Sequence, residues 1–441
     1  MKTFFLAPGA VLVRYPGDAD AANLAAVAHA AALRSPRPAG LLEAIPAAET
    51  TLVLFEPGVF DLSVLGRVPS SSVVAGKRVA VPMRYHDDFA PKLRKLHASA
   101  RYRVAFIGFA PGFPYLVGLP DALRRPRLAS PRTRVPAGSV AIADTYCGIY
   151  PSELPGGWNL IGRTALRLFD QTALLAPGDE VVFEEGDATA TAPDPAPVLP
   201  VRLEANVATL QGGPRHGLGH LGVPPGGAMD LAALEDGNRA LGNAGHAAAL
   251  EFTLQGTEVE FPEPMRFCLS GAPIAASLEG REVSRGEVVE VRAGQRLRLG
   301  RVEQGVRSYL CLGKQSPGDK LAPFVPPPAE VTLRVEERRE GHFTEGALRT
   351  FYSAAWRSSP ESDRRGIRLS GPRLEHAGAV EIPPEGNPPG AVQVPGSGQP
   401  IILGVDRPVT GGYPKIADVY PEDLAKLAQA RPGTLIRFQR A

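Results

Sequence analysis

Cysteine is scarce in this 441-residue chain, and Cys147, Cys268 and Cys311 stand far apart. An odd, sparse set suits neither a disulfide framework nor a zinc knuckle, so a reducing cytoplasm is the simplest setting. Long apolar runs are missing as well, and none approaches the roughly 20 residues of a membrane-spanning helix. The opening MKTFFLAPGAVLVRYPGD breaks into Pro-Gly without the apolar stretch of a signal peptide. A net charge of +2 gives no reason to expect nucleic acid or a membrane surface as partner. Several chemical signatures are absent. Without a GxxxxGK[ST] loop the chain encodes no Walker-type ATP site, and GxGxxG does not occur between a strand and a helix. Neither a GxSxG elbow nor the Gly-Ser-rich run of amidases is present, which argues against a self-contained serine hydrolase. No Met-Lys-Met-like biotin attachment sequence occurs either.

Glycine and proline are plentiful, at 48 and 45 residues. Many turns and short strands follow, so the expected fold is mainly β with some α+β. The length allows two to four domains. Residues 1–85 read as a small α+β unit: strands at Ala10–Arg14, Leu41–Pro46 and Thr51–Phe55, with an Ala-rich helix over Ala21–Arg34. Residues 86–190 read as a β-barrel with strands at Tyr102–Ile107, Ser139–Ala143, Leu160–Phe169 and Glu180–Glu184. The Pro-rich stretch 191–200 reads as a linker. Residues 201–321 read as a second barrel with a helix over Leu231–Leu241, and a Pro-rich joint at 322–329 opens a third, 322–441. The last carries a helix over Glu422–Ala430, and no repeat at solenoid period is visible.

Two stretches concentrate Gly, Pro and aromatic residues: FIGFAPGFPYLVG at 106–118 and GIYPSELPGGWNLIGRT at 148–164. Gly112 permits unusual backbone angles, Pro111 fixes φ, and Phe109, Phe113 and Tyr115 supply rigid apolar faces. Such a stretch makes either a stiff loop for a planar amide-like ligand or a tight hairpin packed on a barrel.

GFAPGFPYL together with GIYPSELPGGWNLIGRT resembles allophanate hydrolase subunit 1, which is also the B subunit of 5-oxoprolinase. HLGVPPGGAMD, SDRRGIRLSG and GGYPKIADV resemble its partner family, allophanate hydrolase subunit 2, or the 5-oxoprolinase C subunit. The same pair forms the carboxyltransferase part of urea carboxylase. The resemblance covers nearly the whole chain and implies a fusion of the two subunits with cyclophilin-like barrels. It implies ATP-dependent opening of 5-oxoproline to glutamate together with a separate A subunit, ATP entering through that complex. A rival within the resemblance is carboxyl transfer to urea or a similar amide, with biotin on a separate carrier. A third reading is a non-catalytic regulator of a histidine kinase. A homo-oligomer is compatible with each. Departures from the pattern are also present: Asp144-Thr145-Tyr146-Cys147 stands where the family has Gly-Gly-Gln-Thr, and Gly212 replaces an acidic residue.

Each candidate residue has a functional and a structural reading. Glu153, between two prolines, could orient an amide or act as a base, or be a surface Glu. Arg163 could grip a carboxylate or lie on a strand face. His220 could carry a proton; Gly217 and Gly219 between it and His216 argue against a zinc pair of the HExxH kind. Asp230 reads first as a helix cap, at a helix start that could also hold an anion. Arg364 and Arg368 would share a strand face and could grip a carboxylate or phosphate. Asp406, Gly411, Gly412 and Tyr413 form a turn that a ligand could approach, with Lys415 supplying a point charge. Glu153, His220 and Lys415 are thus the catalytic candidates, and no metal site is expected.

Overall fold

The computed structural model describes residues 1–67, 76–170, 172–187, 199–313 and 320–441, so most of the expected linker lies outside the described residues. The N-terminal unit is an antiparallel sheet in the order Lys2–Phe5, Ala10–Arg14, Thr50–Phe55, Leu41–Pro46. Helix α1 (Ala19–Arg34) is opened by Asp18, whose carboxylate accepts the Ala21 N–H. Its stripe of Ala22, Ala26, Ala30 and Leu33 packs with Val11, Val13 and Val53. On the other sheet face, Leu12, Leu52 and Leu54 cluster with Val409 from the far end of the chain. Covered on both sides, Thr50–Phe55 is buried at every position.

The first barrel closes in the order Tyr146–Ile149, Pro114–Val117, Tyr102–Ile107, Glu180–Glu185, Arg78–Tyr85, Asn159–Arg163, Ser139–Ala143. Its first and last strands, Arg78–Tyr85 and Glu180–Glu185, run parallel. Helix α2 (Pro91–Ser99) follows the first strand. Two expectations change here, and one open alternative is decided. Arg78–Tyr85 belongs to the barrel, so the α+β unit ends before residue 85. The strand expected over Leu160–Phe169 stops at Arg163. The stretch 106–118 is a hairpin: Pro114–Val117 pairs with Tyr102–Ile107, which leaves only 108–113 as loop.

The central unit is not a closed ring. Its strands form two five-stranded sheets, one holding Glu258–Glu260 and Arg296–Val302, the other Ala249–Thr253, Met265–Gly271 and Arg307–Gly313. Phe252, Phe261, Phe267 and Leu297 fill the space between. Helix α3 (Leu231–Ala240) is capped by Asp230, which accepts the Ala233 N–H, as its sequence position suggests.

The last barrel closes in the order Glu330–Glu337, Lys415–Val419, Ala391–Gln393, Ile401–Leu403, Gly366–Ser370, Trp356–Ser358, Leu435–Arg440. Helix α4 (Glu345–Ser353), not expected from the sequence, is capped by Thr344. Helix α5 (Pro421–Ala428) precedes the final strand.

The two closed barrels are wired alike. In each, the first and last of seven strands pair in parallel, a helix follows the first strand, and the strands occupy the ring in the same order. Even the accessory ribbons correspond: Arg132–Val135 with Leu154–Gly156, and Glu385–Gly386 with Thr410–Gly411. Gly156-Gly157-Trp158 and Gly411-Gly412-Tyr413 are therefore equivalent turns. Among the described residues no helix is long and apolar enough to cross a membrane.

Candidate functional site

The equivalent loops of the two barrels converge on one another, with the central unit closing the gap. Gly112 donates its N–H to the Leu221 carbonyl at 3.0 Å. A methyl group on Gly222 would stand 2.5 Å from the Ala110 carbonyl oxygen. Between these contacts lies a cavity of about 310 Å³. The first barrel supplies Phe109, Pro111, Ser152 and Leu154; the central unit supplies Gly222 and Pro224; the last barrel supplies Arg365, Asp406 and Arg407. Such a volume suits a small molecule rather than a polymer.

Phe109 is held at φ +66°, a left-handed conformation that is uncommon for a side chain of this size. The Pro111-Gly112 turn holds it there, and its ring meets Phe113 edge-on at 5.4 Å. Backbone strain of this kind collects at binding sites. Phe113 and Tyr115 do not reach the cavity. They are buried in a cluster with Phe106, Tyr150 and Trp158, so they stand behind the loop and not on the cavity wall where the sequence reading put them.

The other expected residues separate by environment. Asp406 lies on the cavity wall and is bound by Arg364 through two bonds of 2.6 and 3.1 Å. Glu153 sits beside the wall residues Ser152 and Leu154 but is exposed, with Arg134 at 3.3 Å. Arg163 is exposed and donates to the Ala137 carbonyl. Arg364 and Arg368 do not share a face. The strand begins at Gly366, after an Asp363 turn that accepts the N–H groups of Arg365 and Gly366. Arg364 turns inward, where it also reaches Glu251 at 2.7 Å and the Gly227 carbonyl at 2.7 Å, while Arg368 is exposed. Glu251 in turn accepts from the Met229 N–H and the Tyr309 hydroxyl, and Tyr309 receives the Asp230 N–H. Arg364 and Asp230 thus knit the central unit to the last barrel.

His220 occupies a single turn, Gly219–Leu221, and among the described residues its buried Nδ1 has no hydrogen-bond partner. Burial, with Arg34 nearby, lowers its pKa to about 4. Lys415 is wholly buried. It pairs with Glu385 at 3.0 Å, in a network where Arg338 meets Asp418, Glu340 and Glu385, and Arg14 reaches Glu340 at 3.0 Å. This network joins the α+β sheet to the last barrel, and Lys415 does not face the cavity. Gly411, Gly412 and Tyr413 are half-buried; the Gly411 carbonyl accepts from Lys415 and the Gly412 carbonyl from the Ile382 N–H.

Two charged cavity residues are not among the sequence candidates. Arg365 stands beside the candidate Arg364, and Arg407 beside Asp406. Behind Arg407 lie Asn387 and Thr410, both buried; among the described residues Asn387 Oδ1, Thr410 Oγ1 and Arg407 Nη2 have no hydrogen-bond partner. Unanswered polar atoms gathered in one place are unusual in a packed interior.

Two topologically equivalent barrels that share a cavity with a third β unit define a mainly β protein with a junctional cavity. The carboxyltransferase domain family matches the chain twice: subdomains C and D over residues 1–176, and subdomains A and B over 221–321 and 314–440. The 5-oxoprolinase C subunit of Haemophilus influenzae is 34% identical over 282 residues, 53% of this chain and 87% of that one. The 5-oxoprolinase B subunit of Escherichia coli O157:H7 is 55% identical over 93 residues, which span 20% of this chain and 43% of that protein. A crystal structure of TTHA0988 superposes with a TM-score of 0.83 at 32% identity, covering 98% of this chain and 99% of the other. The chain belongs to the carboxyltransferase domain family, with the C–D and A–B subdomains joined in one polypeptide.

Proposed function

We propose that this chain is the joined B and C component of an ATP-dependent 5-oxoprolinase, opening 5-oxo-L-proline to L-glutamate with a separate A subunit. The observation that carries this reading is the cavity between Phe109–Pro111 and Arg365/Asp406. Its walls come from the B-like and the C-like halves, so neither half contains it alone. A small lactam fits such a space, with Phe109 against the ring and Asp406 on the opposite wall. ATP is assigned to the A subunit in this scheme. Lys415, expected to supply a point charge to a ligand, is paired with Glu385 instead. The chain is accordingly inactive by itself in this proposal.

The test is 5-oxoproline-dependent ATP hydrolysis, with and without the A subunit from the same source. Turnover only in the mixture supports the assignment. A complex shown to form but lacking turnover sinks it. The carboxyltransferase match favours one alternative, carboxyl transfer to a urea-like amide from biotin on a separate carrier. That reading requires dependence on a biotinylated protein.

A further inference from the structure

The charges around the cavity are unevenly answered. Its acidic wall residue, Asp406, is taken up by Arg364. Glu153 faces Arg134, and Glu43 accepts the N–H groups of Gly217 and Gly219 at 2.6 and 3.1 Å. The cations are different. Arg365 is exposed on the cavity wall, and among the described residues its side chain has no hydrogen bond or ion pair. Arg407 is 1% exposed; its Nε donates to the Asn387 carbonyl at 2.7 Å, and its Nη2 has no partner among the described residues. Arg338 and Lys415, buried just as deeply, each have a carboxylate within ion-pair distance. Arg407 has none among the described residues. Glu43 and Asp406 act on Arg407 only from beyond that distance. A buried guanidinium without a carboxylate in contact is unfavourable, and planar carboxylates are its natural complement.

We propose that Arg365, at the wall of the junctional cavity, is the group that holds the carboxylate of the substrate, with Arg407 supplying positive potential behind it. This rests on reading the junction as the substrate site. It adds to that reading, whose lactam already carries a carboxylate, the side chains that recognise this group and so refuse a neutral ligand such as urea. Positive charge on one wall and the Phe109 ring on the other would orient a lactam with its carboxylate toward the last barrel.

Calorimetric titration of the full chain with 5-oxo-L-proline, 2-pyrrolidinone and urea tests it, because 2-pyrrolidinone is the same ring without the carboxylate. A charge-assisted hydrogen bond corresponds to about tenfold or more in affinity. We expect 5-oxoproline to bind at least about tenfold more tightly than 2-pyrrolidinone, with only the former weakened by salt. R365Q, at an exposed position, should abolish most of that preference and leave 2-pyrrolidinone unaffected, while R365K retains part of it. R407Q should remove the remainder; if it fails to fold, the ligand series and R365Q decide. Equal affinities, an R365Q protein that still prefers the carboxylate, or no binding of any of the three overturns the inference. Carboxylate preference without ATP hydrolysis in the mixture would defeat the 5-oxoprolinase assignment alone. Turnover insensitive to R365Q would defeat the charge assignment alone.

Discussion

Gly108 and Thr410 meet so closely across the two barrels that a methyl group on Gly108 would stand 1.7 Å from Thr410 Oγ1. One residue opens the Phe109 loop, and the other lies in the accessory ribbon of the last barrel. The absence of a side chain at residue 108 is what lets the two halves of the cavity approach.

G108A should therefore push the barrels apart and destabilise the protein by about 1–3 kcal/mol, the usual range for overpacking. Urea unfolding measures this. Adding T410G should recover most of the loss, since the nearest atoms the new methyl would meet all belong to Thr410. A double variant no more stable than G108A would place the clash elsewhere.

Lys415 and Glu385 form the second testable pair. K415M leaves Glu385 buried beside fewer cations, and breaking a buried pair costs about 3–5 kcal/mol. K415M/E385Q removes both charges and should return much of that stability. If the double variant folds well and 5-oxoproline-dependent turnover with the A subunit is kept, Lys415 is structural. Stable but inactive protein would restore a chemical role to it.

Burial also fixes a pH response. It lowers the pKa of His97 to about 3 and those of His29 and His220 to about 4, from an ordinary 6.5. Between about pH 6.5 and pH 4 the unfolded chain takes up protons that the folded chain refuses. Stability therefore falls as pH falls through that window. Thermal melts at stepped pH should show the decline, and H97Q should flatten it while lowering stability at neutral pH. A wild-type melting temperature constant from pH 6.5 to 4 would contradict the assignment. For the same reason His220 contributes no inflection near neutrality to a pH–rate profile.

Phe109 couples strain to binding. F109G relieves the φ +66° conformation, worth of order 1–3 kcal/mol, and loses the edge contact with Phe113. The two effects oppose, so stability should change by no more than about 1 kcal/mol. Ligand affinity should nevertheless drop about tenfold with the ring gone from the wall. Equal affinity in F109G would remove the ring from the site.

Much of the fold could be read from the sequence because its strands are short apolar runs between clear turns. Asp230 before an apolar stripe announced α3, and the Pro-rich joint at 322–329 set off the last barrel. Helix α4 was hidden: in EGALRTFYS only Thr344 and Glu345 signal a start, and Gly346 weakens the pattern. The barrel correspondence was hidden too, because little beyond two Gly-Gly-aromatic turns survives as a shared string. In the site, alternation placed Arg364 and Arg368 together, but the strand starts two residues after Arg364, so that rule does not apply. Nothing in the sequence alone therefore singles out Arg365. Phe113 and Tyr115 look like a ligand platform in the sequence; only packing reveals that they hold up Phe109. Burial likewise decided Lys415, since a lysine beside Gly-Gly-Tyr-Pro gives no sign of the Glu385 that waits some thirty residues earlier in the chain.

Because each half contributes walls to one cavity, the covalent join makes their meeting intramolecular, at an effective concentration that does not depend on how much protein is present. Dilution cannot part them. Were the chain cut between Asp187 and Leu199, the same cavity would become a bimolecular product, present only where both pieces are abundant. A single polypeptide keeps the site at fixed stoichiometry however little of it is made.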